Sequence, residues 1–138
     1  MKLSFSKPLS WAYLFLLSFI CAMSFPTSAI SGDIVAVRTW PAEDYTRITL
    51  EHDGNVKAKH FLSNPNRLVV DVEGSQLNGA LKELISKIQA DDPYIQHVRV
   101  GQLNPSTVRL VFDLKVAVNP QVFSLNPVGK YKHRLVLD

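Results

Sequence analysis

The sequence predicts an all-β fold: a two-sheet β-sandwich with one short helix, built from two related four-strand halves. Three observations predict it. Eight short runs rich in Val, Ile, Leu, Phe and Thr lie between residues 33 and 138, with turn formers between them. Within the clearest runs, apolar side chains fall on every second position, the period of a strand with one buried face. One five-residue word also recurs, as "RLVVD" at 67–71, "RLVFD" at 109–113, "RLVLD" at 134–138 and, more loosely, "RITLE" at 47–51.

The first 29 residues stand apart from this pattern. Lys2 and Lys7 precede an uncharged run at 9–25, and Thr27 and Ala29 sit at the −3 and −1 positions of a cleavage site. Basic start, apolar middle and small-residue exit predict a secretory signal peptide, 1–29, removed to leave 30–138. The alternative is a retained membrane anchor, for which the run is at the short edge of the about 17–25 residues a span needs. Without an Arg-Arg pair, the general secretion route is expected. The single cysteine, Cys21, lies inside the signal, so the mature chain has neither disulfide nor thiol chemistry. Removing Lys2 and Lys7 takes the 15 basic residues to 13 against 12 acidic ones, a net +1 in place of +3. So small an excess on an exported chain argues against a nucleic-acid partner.

The strands are expected at "DIVAVRTW" (33–40), "YTRITLEH" (45–52), "VKAKHFLS" (56–63), "RLVVDVE" (67–73), "IQHVRVGQL" (95–103), "TVRLVFDLK" (107–115), "PQVFSL" (120–125) and "HRLVLD" (133–138). Asp53-Gly54-Asn55, Asn64-Pro65-Asn66, Asn104-Pro105-Ser106 and Asn126-Pro127 punctuate them. The segment 77–88 breaks the rhythm. Leu77, Ala80, Leu81, Leu84, Ile85 and Ile88 form one stripe at helical spacing, with Ser75 or Asn78 as the cap, so a helix closing one end of the core is expected there.

The chain repeats itself around that helix. A shift of 62 positions lays Arg47 on Arg109, Glu51 on Asp113, Val56 on Val118, Phe61 on Phe123 and Asn64-Pro65 on Asn126-Pro127. Val37-Arg38 matches Val98-Arg99 more loosely, and the second copy has a longer loop, "VGKYKH", before its last word. Two halves, 33–74 and 94–138, point to an internal duplication. Stacked face to face, two such four-strand units would make a sandwich with pseudo-two-fold symmetry.

Alternation assigns the faces. Ile48, Leu50, Leu68, Val70, Val72, Leu110, Phe112 and Leu114 point inward; Arg47, Thr49, Glu51, Arg67, Val69, Asp71, Arg109, Val111 and Asp113 point outward. Each word thus puts an arginine and an acid on an outer face. One reading is a ladder of cross-strand ion pairs that keeps those faces soluble. The other is recognition of an anionic ligand, because guanidinium offers a carboxylate two parallel hydrogen bonds that lysine cannot. For an exported bacterial domain, the abundant carboxylate-bearing polymer is the cell wall.

"VAVRTWPAEDYTRITLE", "LSNPNRLVVDVEG", "ADDPYI", "RVGQLNPSTVRLVFDLK" and the closing "RLVLD" together resemble an AMIN domain, over about 33–138. The resemblance implies a two-sheet sandwich that binds peptidoglycan and directs a periplasmic N-acetylmuramoyl-L-alanine amidase to the division septum for daughter-cell separation. The expected ligand-binding residues are Arg47, Arg67, Asp71, Arg99, Gln102, Arg109, Asp113 and Arg134. Peptidoglycan is the expected partner, with divisome proteins beside it, on a monomer free of membrane once the signal is gone. AMIN domains also occur in type IV pilus secretins, so a protein-interaction module is the alternative.

No enzyme is expected in this chain by itself. The resemblance implies a zinc amidase domain elsewhere in the parent protein, with zinc bound there and no cofactor here. His52, His60, His97 and His133 show no H-E-x-x-H or comparable spacing and are expected on strand surfaces, and no G-x-S-x-G elbow occurs. The chain stops at Asp138 in mid-pattern, the ending expected of a piece of a longer amidase. Trp40, beside Pro41, is expected to plug the end of the sandwich, with sugar stacking as its alternative. Gly101 suggests a bulge or a close backbone approach.

Overall fold

The computed structural model describes residues 32–63 and 65–138; the expected signal peptide and Cys21 lie outside them. The elements are β1 (Ile34–Pro41), β2 (Thr46–His52), β3 (Lys57–Ser63), β4 (Arg67–Glu73), α1 (Gly79–Lys87), β5 (Ile95–Asn104), β6 (Thr107–Leu114), β7 (Val122–Leu125) and β8 (His133–Leu137). Each predicted strand and the helix are present within a few residues of their expected bounds.

Two antiparallel four-strand sheets form the sandwich. Sheet A has the order β1-β2-β8-β7 and sheet B the order β3-β4-β6-β5. Replacing β1, β2, β3 and β4 by β5, β6, β7 and β8 turns one order into the other, so the duplication is a pseudo-two-fold axis that exchanges the sheets. Neither half makes a sheet of its own, as the stacking of two four-strand units would require. Each half gives one hairpin to each sheet: β1-β2 and β7-β8 build sheet A, β3-β4 and β5-β6 build sheet B. The chain crosses from sheet to sheet just after His52, and Val56 is buried on the way. The crossing is tight: a Cβ on Gly32 would lie 2.4 Å from Asp53 Oδ1 and 2.8 Å from the Gly54 nitrogen, so only glycine fits there.

The inward positions make one core, including Ile48, Leu50, Val70, Val72, Leu110, Phe112 and Leu135. At roughly 1.5–3 kcal/mol for each large apolar side chain fully removed from water, this layer is the main stabilising term of a cysteine-free domain. Asn78 caps α1, its side chain accepting a hydrogen bond from the Leu81 amide at 3.1 Å. Leu81 and Leu84 are buried, while Ile85, on the expected stripe, is exposed. The helix packs on β1 and β5, an edge strand of each sheet, so it closes a side of the sandwich where the two halves meet.

One histidine departs from its expected place. His52 is fully buried, with Nδ1 2.8 Å from the Gly54 carbonyl oxygen and Nε2 3.1 Å from Ser75 Oγ. It follows Glu51 on the inner face of β2, and its two ring nitrogens tie the sheet crossing to the segment before α1. Gly101 is regular, paired with Arg109, and a Cβ there would meet nothing within 4 Å. Of the two register irregularities of β5, one lies between Ile95 and His97 and the other falls just beyond Gly101, between Gln102 and Asn104.

Candidate functional site

The recurring word pairs with itself. In sheet B, β4 and β6 run antiparallel with Arg67 opposite Asp113, Val69 opposite Val111 and Asp71 opposite Arg109. A word that begins with a cation and ends with an anion is self-complementary when reversed. Arg67 Nε donates to Asp113 Oδ1 at 2.7 Å, and Arg109 donates through Nε and Nη2 to both oxygens of Asp71 at 2.7 and 2.8 Å. Arg99 on β5 adds two bonds of 3.2 Å to Asp113. Lys59 pairs with Glu73 at 2.9 Å at the other edge. Val69 faces outward yet is buried, between the two ion pairs and beside Phe61. The three arginines on this face, and Lys59, therefore all have acids.

Sheet A repeats the plan with "RITLE" on β2 and "RLVLD" on β8. Arg47 grips Asp138 with Nε and Nη2, at 2.7 and 2.5 Å. At the opposite corner Glu51 stands across from Arg134. That pair does not form. Glu51 Oε2 accepts from Arg38 Nη2 at 3.0 Å, and Oε1 accepts from the Lys132 backbone amide at 3.1 Å. The guanidinium of Arg134 lies instead over the Tyr131 ring, 5.0 Å from its centroid. Gln102 is also turned to structure: Oε1 accepts from the Leu77 amide at 2.8 Å, and Nε2 donates to the Asn104 carbonyl at 2.7 Å.

Of the eight residues expected to bind a ligand, seven are thus engaged within the protein. Six of them form the ion-pair ladder of the first reading, and Gln102 binds backbone groups. The sequence could supply the arginines and acids and their outward direction, but not the partner of each, which depends on which strands adjoin.

The ladder shifts the titration of its acids. The hydrogen bond from Arg109 holds Asp71 below the usual aspartate range, and that from Arg67, with Arg99 nearby, does the same for Asp113. A carboxyl with a lowered native pKa takes up its proton less readily than the unfolded chain. Its contribution is fully present above about pH 4, the unfolded aspartate value, and is lost as the pH falls through the lower native value. For half-exposed pairs the contribution is about 0–1 kcal/mol each. Denaturation followed from pH 7 to pH 2 is expected to show wild type losing more stability on acidification than the Asp71→Asn/Asp113→Asn double variant. Parallel curves would refute the ladder's role.

Trp40 does not plug the sandwich. It is 68% exposed on the outer face of sheet A, where it shares a groove with Arg38, Tyr45, Arg47, Thr49 and Lys87. Its symmetry position on sheet B is Gly101. Between the sheets, a cavity of about 400 Å³ opens beside Tyr45, Tyr94 and the 117–121 segment. Among the described residues, no three His, Cys, Asp or Glu side chains converge as a metal site would require.

Sequence comparison gives this geometry a lineage. The AMIN domain model matches residues 36–138. The chain is 53% identical over 111 residues, 80% of its length, to the N-acetylmuramoyl-L-alanine amidase AmiC of Escherichia coli O6:H1. It is 52% identical over 104 residues, 75% of its length, to the AmiC of Neisseria meningitidis serogroup B. It spans about a quarter of those relatives, 27% and 25% of their lengths. A duplicated sandwich whose strands carry the self-pairing word, matched across nearly all of its described length, makes this chain a member of the AMIN domain family.

Proposed function

We propose that this chain is a non-catalytic peptidoglycan-binding module that holds a cell-wall amidase at the division septum. The observation that carries the proposal is the match over nearly the entire sandwich to relatives named for cleaving the N-acetylmuramoyl-L-alanine bond, a bond found in the wall. The surface chemistry agrees: exposed aromatics beside guanidinium groups suit a polymer of sugars and carboxylate-bearing peptides. On this reading the chain is exported to the periplasm, its signal is cleaved after Ala29, and zinc belongs to the amidase domain of the parent protein.

The alternative, a protein-interaction module that adds a partner strand to a sheet edge, has less support. The β1 and β5 edges lie against α1, the β3 edge carries Lys57 and Lys59, charges that discourage strand addition, and the β7 edge offers only four residues. Divisome partners would then be read by the outer faces or by the short β7 edge.

The test is co-sedimentation with purified sacculi of the protein recovered from the periplasm, in protein-free buffer. The protein is expected to pellet with sacculi and to release no stem peptides, with or without added zinc. Failure to pellet would overturn wall binding. Zinc-dependent, chelator-sensitive release of peptides would overturn the non-catalytic reading.

A further inference from the structure

The pseudo-two-fold axis makes each outer face a prediction of the other, so a departure from symmetry is informative. Arg67 of β4 corresponds to Arg134 of β8, Asp113 of β6 to Glu51 of β2, and Arg99 of β5 to Arg38 of β1. One contact recurs on both faces: Arg99 on Asp113 matches Arg38 on Glu51. The other does not. Arg67 Nε meets its acid at 2.7 Å, whereas Arg134 Nε is buried with no hydrogen-bond partner. Among the described residues, Arg134 Nε is the buried side-chain polar atom left unsatisfied. A buried donor without an acceptor is costly and calls for an explanation.

The longer loop of the second half is the cause. Only a short turn joins Ser63 to Arg67, whereas 126–132 joins β7 to β8. Within it Val128 and Tyr131 exchange both backbone hydrogen bonds, at 3.1 and 3.0 Å, around Gly129, whose φ of 57° a residue with a side chain rarely adopts. This tight hairpin has two effects. It brings the Lys132 amide onto Glu51 Oε1, the acceptor that Arg134 would otherwise use. It also sets the Tyr131 ring among three cations: Arg134 at 5.0 Å, Lys130 at 5.6 Å and Arg38 at 5.7 Å from the centroid. Glu51 is the single acid paired within this cluster, and both its oxygens are taken. The cluster therefore holds positive charge in excess and a guanidinium donor without an acceptor. Arg38 links it to the groove that holds Trp40 and Tyr45.

We propose that the wall-binding site lies on sheet A alone, centred on Arg134 and Tyr131, and takes a free carboxylate of a peptidoglycan stem peptide. The Tyr131 hairpin moves to admit it, and Arg134 then makes the charge-assisted bonds that Glu51 cannot offer. The face of sheet B, where all three arginines already hold acids, is a closed lattice that stabilises the fold. The choice of ligand rests on the proposed function; the open guanidinium does not.

Two measurements on the protein recovered from the periplasm test this. In the first, Arg134→Gln and Tyr131→Ala are compared with Arg67→Gln in sacculus co-sedimentation, with melting temperatures measured alongside. Arg134→Gln is expected to weaken binding about tenfold or more while its melting temperature holds or rises, since an unpaired buried donor has gone. Tyr131→Ala should weaken binding too, and Arg67→Gln should lower the melting temperature rather than the affinity. Equal losses for Arg67→Gln and Arg134→Gln would overturn the one-sided site. In the second, the Arg134 Nε–H resonance is followed by NMR during titration with a soluble disaccharide-tetrapeptide, its fully amidated form, and inorganic phosphate. A shift with the first alone is expected. An equal response to phosphate would overturn carboxylate selection, and no response to any of the three would overturn the site. Wild type that fails to pellet while Arg134 still responds to the tetrapeptide would refute the proposed function and keep the site. Pelleting unaffected by Arg134→Gln would do the reverse.

Discussion

Replacing Asp92 by alanine is expected to destabilise the protein by about 4 kcal/mol, since hydrogen bonds to a buried carboxylate contribute about 1.5–3 kcal/mol each and are not fully additive. Asp92 is 3% exposed. Its Oδ1 accepts from the backbone amides of Tyr94 and Ile95, at 2.9 and 2.8 Å, and its Oδ2 accepts from the Thr46 hydroxyl at 2.9 Å. One side chain thus shapes the entry to β5 in sheet B and ties it to the first residue of β2 in sheet A. Alanine would leave three donors without this acceptor at the edge of the core. For a domain of this size the loss corresponds to a melting temperature lower by about 20 °C. Asp92→Asn keeps one oxygen and is expected to cost less than half as much. Calorimetry on wild type and both variants checks the ordering. Equal, small losses for the two variants would show that the buried bonds are dispensable. The stretch "ADDPYI" brings Asp92 into the family resemblance, but no local pattern gives it a structural role. Its value comes from Thr46, which lies 46 positions away in the chain.

Phe112→Ala is expected to cost about 3–5 kcal/mol, the range for emptying a large aromatic from a packed core. Phe112 sits mid-strand in β6, 1% exposed, with Leu68 on one side and Val98 on the other. Phe123→Ala is the informative comparison. Phe123 lies on the outer face of β7, exposed, beside Val136. Its truncation is expected to cost about 1 kcal/mol, because much of its surface already meets water. Guanidinium denaturation separates the two cases. Similar midpoints for both variants would contradict the assignment of inner and outer faces.

The sequence alone determined which residues form strands, which of their faces are buried and where the helix lies, and it left Ser75 and Asn78 both open as the cap. These features are set over two to four residues: alternation along Leu68, Val70 and Val72, and helical spacing through Leu81 and Leu84. It also determined that the chain is double, because Arg47, Phe61 and Asn64 recur at one fixed shift. The tertiary structure alone decided how the halves combine. The hairpin exchange between sheets, the self-pairing of the recurring word, the burial of His52 and the exposure of Trp40 all depend on which strands adjoin. Adjacency is chosen by closing one common core, and no local pattern encodes it. Arg134 shows the difference most plainly. Its word differs from that of Arg67 only by leucine in place of valine at the fourth position, yet the hairpin at Val128–Tyr131 takes its acid away. Nearly identical local chemistry thus yields a closed ion pair in one sheet and an open guanidinium in the other.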